Sequence, residues 1–542
     1  MDAAGVQIID QRRCAIQDAY DGKQGMVARN KQGQFATPPQ LSYEIAQYVS
    51  TLLGPSGEPI RFLEPAIGTG SFFSALLRTF PGERIVSATG VEIDCELART
   101  GRELWGEFGL RVVEGDFTQM PRESFVPAPN LILTNPPYIR HHHLAREQKP
   151  RLQELAWRAA GVKVNGLAGF YVYYLLLASE LLARGGLAAW LIPSEFMDVN
   201  YGEVLRRYLS EKVTLLRIHR FDPNEVQFDE ALVSSAVVVF RKAPAREDAV
   251  AQFTYGGTLT NPKVAQEVPC CSLSRTAKWT QFPHSSDRGV RTCDAHTGNL
   301  LEDLFRIQRG IATGANDVFI VRREEARRLG LPEELLRPVL PSPRALKTVV
   351  VERGQDGHPM IEDQLVMVDC DLPEHLVRAR FPTLWDYLEN ASKNGVREGY
   401  LLSKRTPWYK QEHRKPSLFL CTYMGRGAGD ARPFRFILNR SDAVATNLYL
   451  LLYPRAPLAR MLEKRSELVE RLFHAMCEIA GHDLRSEGRV YGGGLHKIEP
   501  KELGRVSAEG ILGALPELRD VISHRRREQE FAGGAGSLFG TL

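Results

Sequence analysis

The stretch of residues 131–138 combines residue types that could hold an amino group. A short apolar run, too brief for a helix, is followed by Asn135 and by Pro136 and Pro137, which cannot continue a strand ladder. This pattern predicts a buried parallel strand whose carboxyl end reaches the crevice where open α/β sheets bind ligands. The Asn135 amide oxygen and the Pro136 carbonyl are acceptors for the two hydrogens of an exocyclic amine, and Tyr138 offers a face for base stacking.

A glycine loop upstream predicts a cofactor site. Residues 61–71 read as a strand ending at Glu64, a loop containing Gly68 and Gly70, and the start of a helix. The loop departs from the dinucleotide fingerprint because Phe73 stands where the third glycine belongs. An acid at the strand end would repel a pyrophosphate and attract an ammonium group. Glu64 therefore favours a zwitterionic cofactor such as S-adenosylmethionine over NAD.

Two further predicted strands also end in acidic residues. Glu92 follows the glycine loop by about 20 residues, the spacing at which an acid binds ribose hydroxyls in such folds, and Asp94 is predicted to cap the next helix. Asp116 could accept a hydrogen bond from an adenine amino group while Phe117 covers the ring. One such acid is more often a solvated turn residue. Three at successive strand ends, followed by Asn135, indicate one ligand-binding edge.

In this order the motifs resemble those of the gamma-type N6-adenine DNA methyltransferases of bacterial restriction systems. The resemblance covers residues 34–240 and includes a Thr-Pro-Pro element ahead of the glycine loop, predicted as a helix start with Thr37 at the N-cap and Pro38 at the first position. It implies a doubly wound α/β fold with a seven-stranded sheet that binds S-adenosyl-L-methionine. The positions that match cofactor-binding residues are Thr37, Pro38, Glu64, Pro65, Ala66, Gly68, Gly70, Glu92, Ile93, Asp116, Phe117 and Asn135.

The resemblance also implies how a target adenine is held. The catalytic positions in the Asn-Pro-Pro-Tyr segment are Asn135, Pro136, Pro137 and Tyr138. Phe228 matches the family's second aromatic wall, with Phe221 as its competitor. Two acceptors would bind the N6 hydrogens and turn the lone pair towards the sulfonium methyl for direct in-line transfer. Reaching that amine requires the adenine to be flipped out of the duplex.

The composition of the chain limits which other sites and locations are possible. With 542 residues the chain is too long for one core, and a net charge of +4 means that any nucleic-acid surface must be local. The eight cysteines lack metal-ligand spacing, and histidines 141–143 have no accompanying carboxylate or cysteine, so no metal site is predicted. We see neither a signal sequence nor an apolar run near the roughly 18 residues of a membrane span, which favours a cytoplasmic, nucleoid-associated protein.

The linker-like composition of residues 241–248 predicts the end of the catalytic domain. We expect a cofactor-binding catalytic domain over residues 1–245, a mixed α+β target-recognition domain over 246–525 and a flexible tail over 526–542. Residues 404–435 carry eight Lys or Arg among aromatic residues, which suits phosphate contacts and base reading, with a solvated face as the alternative. The interleaved aromatic residues are Trp408, Tyr409 and Tyr423.

Double-stranded DNA is thus the predicted partner, and the restriction context adds a separately encoded endonuclease acting on the same site. A protein glutamine N5-methyltransferase also uses Asn-Pro-Pro-Tyr but needs no basic, aromatic second half. A fused endonuclease would need a nuclease domain within the 36 residues before Thr37, and a non-catalytic DNA-binding subunit would not need Asn135 together with Glu64. A cytosine C5 enzyme would need a Pro-Cys nucleophile, and Cys270, after Pro269, lies in a polar, linker-like stretch.

Overall fold

The computed structural model describes residues 3–54, 57–222, 234–245, 248–274, 276, 278–283, 299–426, 433–479, 481–491, 495–520 and 522. The chain divides into two compact units, one of Met1–Ala295 with Tyr491–Gly493 and the other of His296–Val490 with Gly494–Leu542. The predicted catalytic-domain boundary at residue 245 therefore lies inside the first unit. The predicted tail at 526–542 lies outside the described residues.

A mixed sheet of nine described strands forms the centre of the first unit, in the order β3-β2-β1-β4-β5-β7-β6-β8-β9. Strands β1 to β5 pair in parallel, and β7 runs antiparallel between β5 and β6. The sheet is wider than the seven strands that the resemblance implied, because β8 pairs with β6 and β9 pairs with β8. The strands are β1 Ile60–Glu64, β2 Ile85–Glu92, β3 Leu110–Glu114, β4 Leu131–Thr134, β5 Leu187–Pro193, β6 Thr214–Arg220, β7 Ser235–Arg241, β8 Val250–Gly257 and β9 Pro262–Pro269.

Helices cover both faces of this sheet. Side chains of a strand alternate between faces, and in β5 Trp190 packs into one hydrophobic core while its neighbour Ala189 packs into the other. Helices α6 to α9 contribute to the first core, and α1, α3, α4 and α5 to the second. The helices are α1 Ala3–Gln24, α2 Met26–Gln32, α3 Pro39–Leu53, α4 Ser71–Thr79, α5 Cys95–Trp105, α6 Gln148–Ala160, α7 Phe170–Leu181, α8 Glu203–Glu211 and α9 Cys270–Leu273.

The second unit contains helices and short, mostly antiparallel strands. Its sheets have the orders β10-β18-β15-β17-β13, β11-β14-β12 and β16-β20-β19. The strands are β10 Phe305–Arg309, β11 Ile320–Arg322, β12 Leu336–Val339, β13 Val350–Val351, β14 Leu365–Val368, β15 Phe419–Thr422, β16 Met424–Arg426, β17 Phe436–Asn439, β18 Tyr449–Pro454, β19 Arg489–Tyr491 and β20 Leu495–Lys497. The helices are α10 Leu301–Leu304, α11 Asn316–Phe319, α12 Arg323–Arg328, α13 Glu374–Arg380, α14 Pro382–Lys393, α15 Ala456–Lys464, α16 Glu467–Cys477, α17 Gly481–Glu487, α18 Pro500–Gly504 and α19 Glu509–Ala514.

The aromatic residues of the basic segment 404–435 have a structural role that the sequence analysis did not anticipate. Trp408 and Tyr409 pack into one hydrophobic core of the second unit, and Tyr423 packs into another. All three are almost completely buried, so base reading by their rings is not possible in this conformation. Among the described helices of the whole chain, none has the length and apolarity required to cross a bilayer.

Candidate functional site

Three polar side chains predicted for the site lie at one edge of the first sheet. Glu64 ends β1 and Glu92 ends the neighbouring β2, while Asn135 directly follows β4 on the other side of β1. The register places Glu64 opposite Gly90 and Leu63 opposite Ile132. Because these strands are parallel, their carboxyl ends meet at the same edge. The predicted convergence of the strand ends is confirmed.

The Asn135 amide has a defined orientation. Its Nδ2 donates to the carbonyl oxygen of Phe35 at 2.9 Å and to the hydroxyl oxygen of Thr37 at 3.1 Å. Both donor positions are therefore used, and Oδ1 is directed away from these two acceptors. Oδ1 is buried and has no hydrogen-bond partner within the described part of the chain. The result is a fixed acceptor at the end of β4.

The acceptors for Asn135 belong to a short segment, residues 33–37, that the sequence analysis did not connect with it. The carbonyl of Gly33 also accepts from the backbone N–H of Tyr138 at 2.9 Å. Gly33 has φ +65°, and a Cβ there would lie 2.5 Å from the Tyr138 backbone nitrogen, so only glycine allows this approach. The segment 33–37 thus holds both ends of the Asn-Pro-Pro-Tyr turn.

The same segment corrects one prediction about the Thr-Pro-Pro element. Helix α3 begins at Pro39, with Pro38 in the N-cap position and no side-chain cap. The Thr37 hydroxyl binds Asn135 instead of capping the helix, and the Thr37 carbonyl accepts from Ser71 Oγ, at the start of α4, at 3.0 Å. Thr37 therefore connects the predicted catalytic turn to the helix that follows the glycine loop.

Glu64 is a buried acid with an unused acceptor. It is 2% exposed, and Oε2 has no hydrogen-bond partner among the described residues. Burial and the nearby charge of Glu92 raise the pKa of Glu64 well above its ordinary value, and Arg13 opposes this rise. A cationic group placed against Oε2 would favour the ionised form. The site is therefore suited to an ammonium group.

Glu92 organises the glycine loop. Its Oε2 accepts from the N–H of Gly68 at 2.8 Å and its Oε1 from the N–H of Asp94 at 2.9 Å. Burial raises the pKa of Glu92, although these backbone hydrogen bonds oppose the rise. A carboxylate has further lone pairs, so the contacts leave room for a ribose hydroxyl. Asp94 caps α5 as predicted, accepting from the N–H of Glu96 and of Leu97.

The other loop positions differ in their surroundings. Pro65 is buried and Ala66 and Gly68 are half-buried. Gly70 has φ +91°, and a Cβ there would lie 2.6 Å from Nε1 of Trp105, which donates to the carbonyl of Thr69. Ile93 is 65% exposed. Its role as a cofactor contact stays a prediction.

Asp116 and Phe117 are engaged in local structure. Asp116 Oδ1 accepts from the backbone and hydroxyl of Thr118, and Oδ2 accepts from Gln119 Nε2 at 2.7 Å. Phe117 is 4% exposed and its ring lies 5.3 Å from that of Tyr174. In this conformation Asp116 caps a short turn and Phe117 packs in the core, and their contacts with adenine stay predictions.

The residues predicted for base stacking differ in what the structure shows of them. Tyr138 is buried, its hydroxyl donates to the carbonyl of Leu191 at 3.0 Å, and its ring centroid lies 5.7 Å from that of Phe35. Pro136 is buried and Pro137 half-buried. Phe228 lies outside the described residues. Its competitor Phe221 is buried, with its ring against His219.

Helix α1 supplies residues that the sequence analysis missed. Thr69 of the glycine loop donates to Gln17 Oε1 at 2.9 Å and accepts from Arg13 Nη1 at 3.3 Å. Further along the helix, the Tyr20 hydroxyl donates to Asp94 Oδ2 at 2.8 Å. Because Asp10, Arg13 and Gln17 interrupt the buried side of α1, hydrophobic periodicity did not reveal the helix.

The rejection of Cys270 as a nucleophile agrees with its surroundings, although the reason differs. The preceding residues are not a linker but strand β9 of the main sheet. Cys270 begins α9, is 5% exposed, and burial raises the pKa of its thiol. A thiol that ionises less readily is a poor nucleophile.

Two segments match known families. Residues 277–532 match the family described as type II methyltransferase M.Eco57I, C-terminal domain. Residues 130–227 match the family described as Eco57I restriction-modification methylase, and this match includes the end of β4 and Asn135.

Full-length relatives agree with these matches. Type II methyltransferase M.XamI of Xanthomonas campestris pv. amaranthicola is 29% identical over 479 residues, covering 85% of this chain and 83% of the relative. Type II methyltransferase M.AccI of Acinetobacter calcoaceticus is 23% identical over 512 residues, covering 91% and 88%.

One solved structure shares the fold. The type IIL restriction-modification enzyme MmeI, solved in complex with DNA, aligns with a TM-score of 0.53 at 12% identity. The alignment covers 86% of this chain and 64% of the MmeI chain. This similarity concerns the fold alone.

Proposed function

We propose that the chain methylates N6 of an adenine flipped out of duplex DNA, with S-adenosyl-L-methionine as the methyl donor; its matches to the Eco57I methylase families and its similarity to type II methyltransferases support this. The orientation of the Asn135 amide is the main support for this proposal. Two acceptors fix its nitrogen, and its oxygen is a buried acceptor, unpaired among the described residues, beside the strand that ends in Glu64. This is the arrangement that an exocyclic amine requires.

The residues of the turn account for activation of the amine. The adenine N6 lone pair is delocalised into the ring, so the free base is a poor nucleophile. Asn135 Oδ1 and the Pro136 carbonyl accept its two hydrogens and favour tetrahedral geometry at nitrogen. Consecutive prolines restrict the turn, and the segment 33–37 holds the amide, so the acceptors need little reorganisation.

The carboxylates at the neighbouring strand ends suit the proposed cofactor. Glu64 offers a buried carboxylate oxygen to an ammonium group, and Glu92 lies where it can accept from ribose hydroxyls. When bound, S-adenosylmethionine supplies an electrophilic methyl group on a sulfonium. Holding the adenine amine at the end of β4, beside this site, would accelerate methyl transfer through proximity and orientation.

Base flipping completes the proposal. Unstacking a base costs roughly a few kcal/mol, which stacking in the site must offset. Tyr138 and Phe228 are the proposed aromatic contacts. Since Tyr138 is buried and Asn135 Oδ1 is shielded from solvent, entry of the base requires local opening around the turn.

Asn135→Ala tests the proposed function. The protein is incubated with duplex DNA and labelled methyl donor, and the products are digested and identified by mass spectrometry. We expect N6-methyladenine from the wild type and about a 100-fold or larger fall in turnover for the variant, the scale on which a preorganised polar contact acts. Binding of S-adenosylhomocysteine should persist. The exposed Asn200→Ala is the matched control.

The same assay distinguishes the alternatives. Label that enters polypeptide rather than DNA would favour a protein glutamine N5-methyltransferase. DNA binding without transfer would favour a non-catalytic subunit. Full activity in Asn135→Ala would remove the proposed mechanism, whatever the product.

We also propose that the modification protects a DNA site from a separately encoded endonuclease; the match to a restriction-modification methylase family supports this proposal. Single-molecule sequencing of DNA from cells expressing the chain would give the modified base and its sequence context together. The isolated endonuclease of a neighbouring gene, where there is one, should then cut unmodified but not modified sites. Cutting of both would contradict the pairing.

A further inference from the structure

Arg13 is a buried cation in helix α1, opposite the glycine loop. It is 2% exposed and is among the largest fully buried side chains of the described structure. Its Nε donates to Asp10 Oδ1 at 2.6 Å, while Nη1 contacts the Thr69 hydroxyl and Nη2 the Cys14 sulfur, each at 3.3 Å. The two terminal nitrogens thus contact neutral atoms, Nη1 through a long hydrogen bond and Nη2 through a sulfur acceptor. A guanidinium has five N–H donors, so these contacts do not exhaust it.

The charges around Arg13 are unbalanced. Asp10 pairs with Arg13, and two further acids, Glu64 and Glu92, end the strands on either side of the glycine loop in the chain; all three acids are nearly buried. Arg13 is close enough to Glu64 to oppose the rise of its pKa, and Glu92 is close enough to add to that rise. Buried charges require partners. The site would be better balanced by a ligand with more positive than negative charge.

The charge pattern matches the amino-acid end of the methyl donor. That end carries an ammonium and a carboxylate on one carbon, and a sulfonium lies three bonds further along the chain. Glu64 can receive the ammonium. A neighbouring carboxylate then needs a cation, and Arg13 is a buried cation that contacts Thr69 in the loop directly following Glu64.

We propose that Arg13 binds the α-carboxylate of the methyl donor through Nη1 and Nη2, with helix α1 covering the amino-acid end of the cofactor. The inference rests on the proposed function for the identity of the donor. Asp10 orients the guanidinium through Nε and leaves the two terminal nitrogens as a fork for the two carboxylate oxygens. Thr69 then positions both α1 and the loop, through Gln17 and Arg13.

Arg13 as a simple counterion of Asp10 and Glu64 is the competing explanation. The two explanations differ in how a ligand without a carboxylate binds. Isothermal titration of the full chain with S-adenosylhomocysteine and with its decarboxylated analogue gives the ratio of the two affinities. A carboxylate-binding Arg13 contributes to that ratio, whereas a structural counterion changes both affinities together.

We expect the wild type to prefer S-adenosylhomocysteine over the decarboxylated analogue by about 10- to 100-fold, the range for a charge-assisted hydrogen-bonded pair. Arg13→Gln should reduce the preference to less than about threefold. Lys23→Gln removes a cation from the same helix, where Lys23 forms an exposed ion pair with Glu96, and should leave the preference unchanged. Arg13→Lys keeps the charge without the planar fork and should give an intermediate ratio.

Thermal melting shows first whether Arg13→Gln folds, and where it does not, Arg13→Lys carries the comparison. An unchanged preference in the folded variant would overturn the inference while leaving the proposed function intact. Methyl transfer to polypeptide alone, with the affinity ratio behaving as expected, would overturn the function and leave the Arg13 contact. Failure of the wild type to bind either ligand would overturn both.

Discussion

At the scale of single residues, Glu64 is an acid held where ionisation is costly. Burial and the charge of Glu92 raise its pKa well above the ordinary value. An ammonium group against Oε2 would lower that pKa again, so ligand binding should release a proton. We therefore predict that affinity for S-adenosylhomocysteine rises with pH until the raised pKa of the free protein is passed. Calorimetry in two buffers of different ionisation enthalpy measures the released proton.

Glu64→Gln is the control for this pH dependence. The variant should bind S-adenosylhomocysteine about tenfold or more weakly, and its affinity should vary less with pH. The melting temperature of the variant, in contrast, should not fall. A carboxyl group whose pKa is raised in the folded state makes the folded protein less stable as pH rises above the pKa of that group in the unfolded chain. Because Gln does not ionise, the variant should melt at the same temperature as the wild type or higher near neutral pH. A lower melting temperature would contradict the burial argument.

Thr37 provides a second prediction, because the resemblance and the structure assign it different roles. The resemblance implies a cofactor contact, whereas the hydroxyl accepts from Asn135 Nδ2. Thr37→Val removes this acceptor with little change of volume. We expect turnover to fall about tenfold through a less ordered amide, with unchanged affinity for S-adenosylhomocysteine. Thr51→Val, at the exposed end of α3, is the control. Weaker cofactor binding at constant turnover would restore the implied role.

These residues also show which features of the site a local sequence pattern can predict and which it cannot. A short apolar run ending in Asn-Pro-Pro correctly placed Asn135 after a buried strand. Its partners Phe35 and Thr37 are about 100 residues earlier in the chain, and their contact depends on tertiary packing. Phe117 packs in the core, and its predicted role as a ring cover stays a prediction, because an aromatic residue after a strand has the same local pattern in either role.

At the scale of elements, the segment 33–37 holds the turn after β4. Gly33→Ala would add a Cβ within 2.5 Å of Tyr138 backbone atoms and would displace the segment or the turn. We predict a stability loss larger than the roughly 1–2 kcal/mol of left-handed strain alone, together with reduced turnover. Gly25→Ala is closely matched, since Gly25 has φ +73° and a Cβ there meets nothing within 4 Å. Equal effects on turnover in the two variants would contradict the positioning role.

Elements whose burial follows an apolar pattern were predictable, and others were not. Strand β4 is buried throughout and ends directly before Asn135, as predicted. Helix α1 was not predicted because Asp10, Arg13 and Gln17 form its buried polar side. Strands β8 and β9 were assigned to the second domain because both follow the linker-like residues 241–248 in the chain. Their membership of the first sheet is set by pairing with β6, which single-sequence patterns do not reveal.

At the scale of the whole molecule, the surface available to DNA is smaller than the basic composition implied. In the segment 404–435, Arg405 donates to the carbonyls of Ala312 and Thr313, and Arg435 to those of Pro343 and Leu346. These guanidinium groups stabilise the second unit rather than face solvent. Charge counts cannot separate such residues from phosphate contacts, because both roles use the same side chain.

The exposed cations of that segment give the last prediction. Lys410, Lys415 and Arg426 are exposed, as is Lys404, which lies over the ring of Tyr400 and is left unchanged. Phosphate contacts release counterions, so replacing all three by alanine should weaken DNA binding and reduce the slope of log affinity against log salt by about one for each lost contact. Fluorescence anisotropy with duplex DNA over a salt series measures the slope. The melting temperature should remain that of the wild type, because these side chains lie outside the hydrophobic cores of the described structure.

Two further variants are the controls for this prediction. Lys393→Ala removes an exposed cation that already pairs with Glu389, and it should leave the slope nearly unchanged. Arg405→Ala should instead lower the melting temperature, since it leaves two carbonyls without their donor. Because salt dependence counts ionic contacts regardless of sequence, the triple variant reports on phosphate binding and not on base reading. An unchanged slope in that variant would exclude these three cations from the DNA surface and direct the search to the exposed Arg306 and Arg309 of β10.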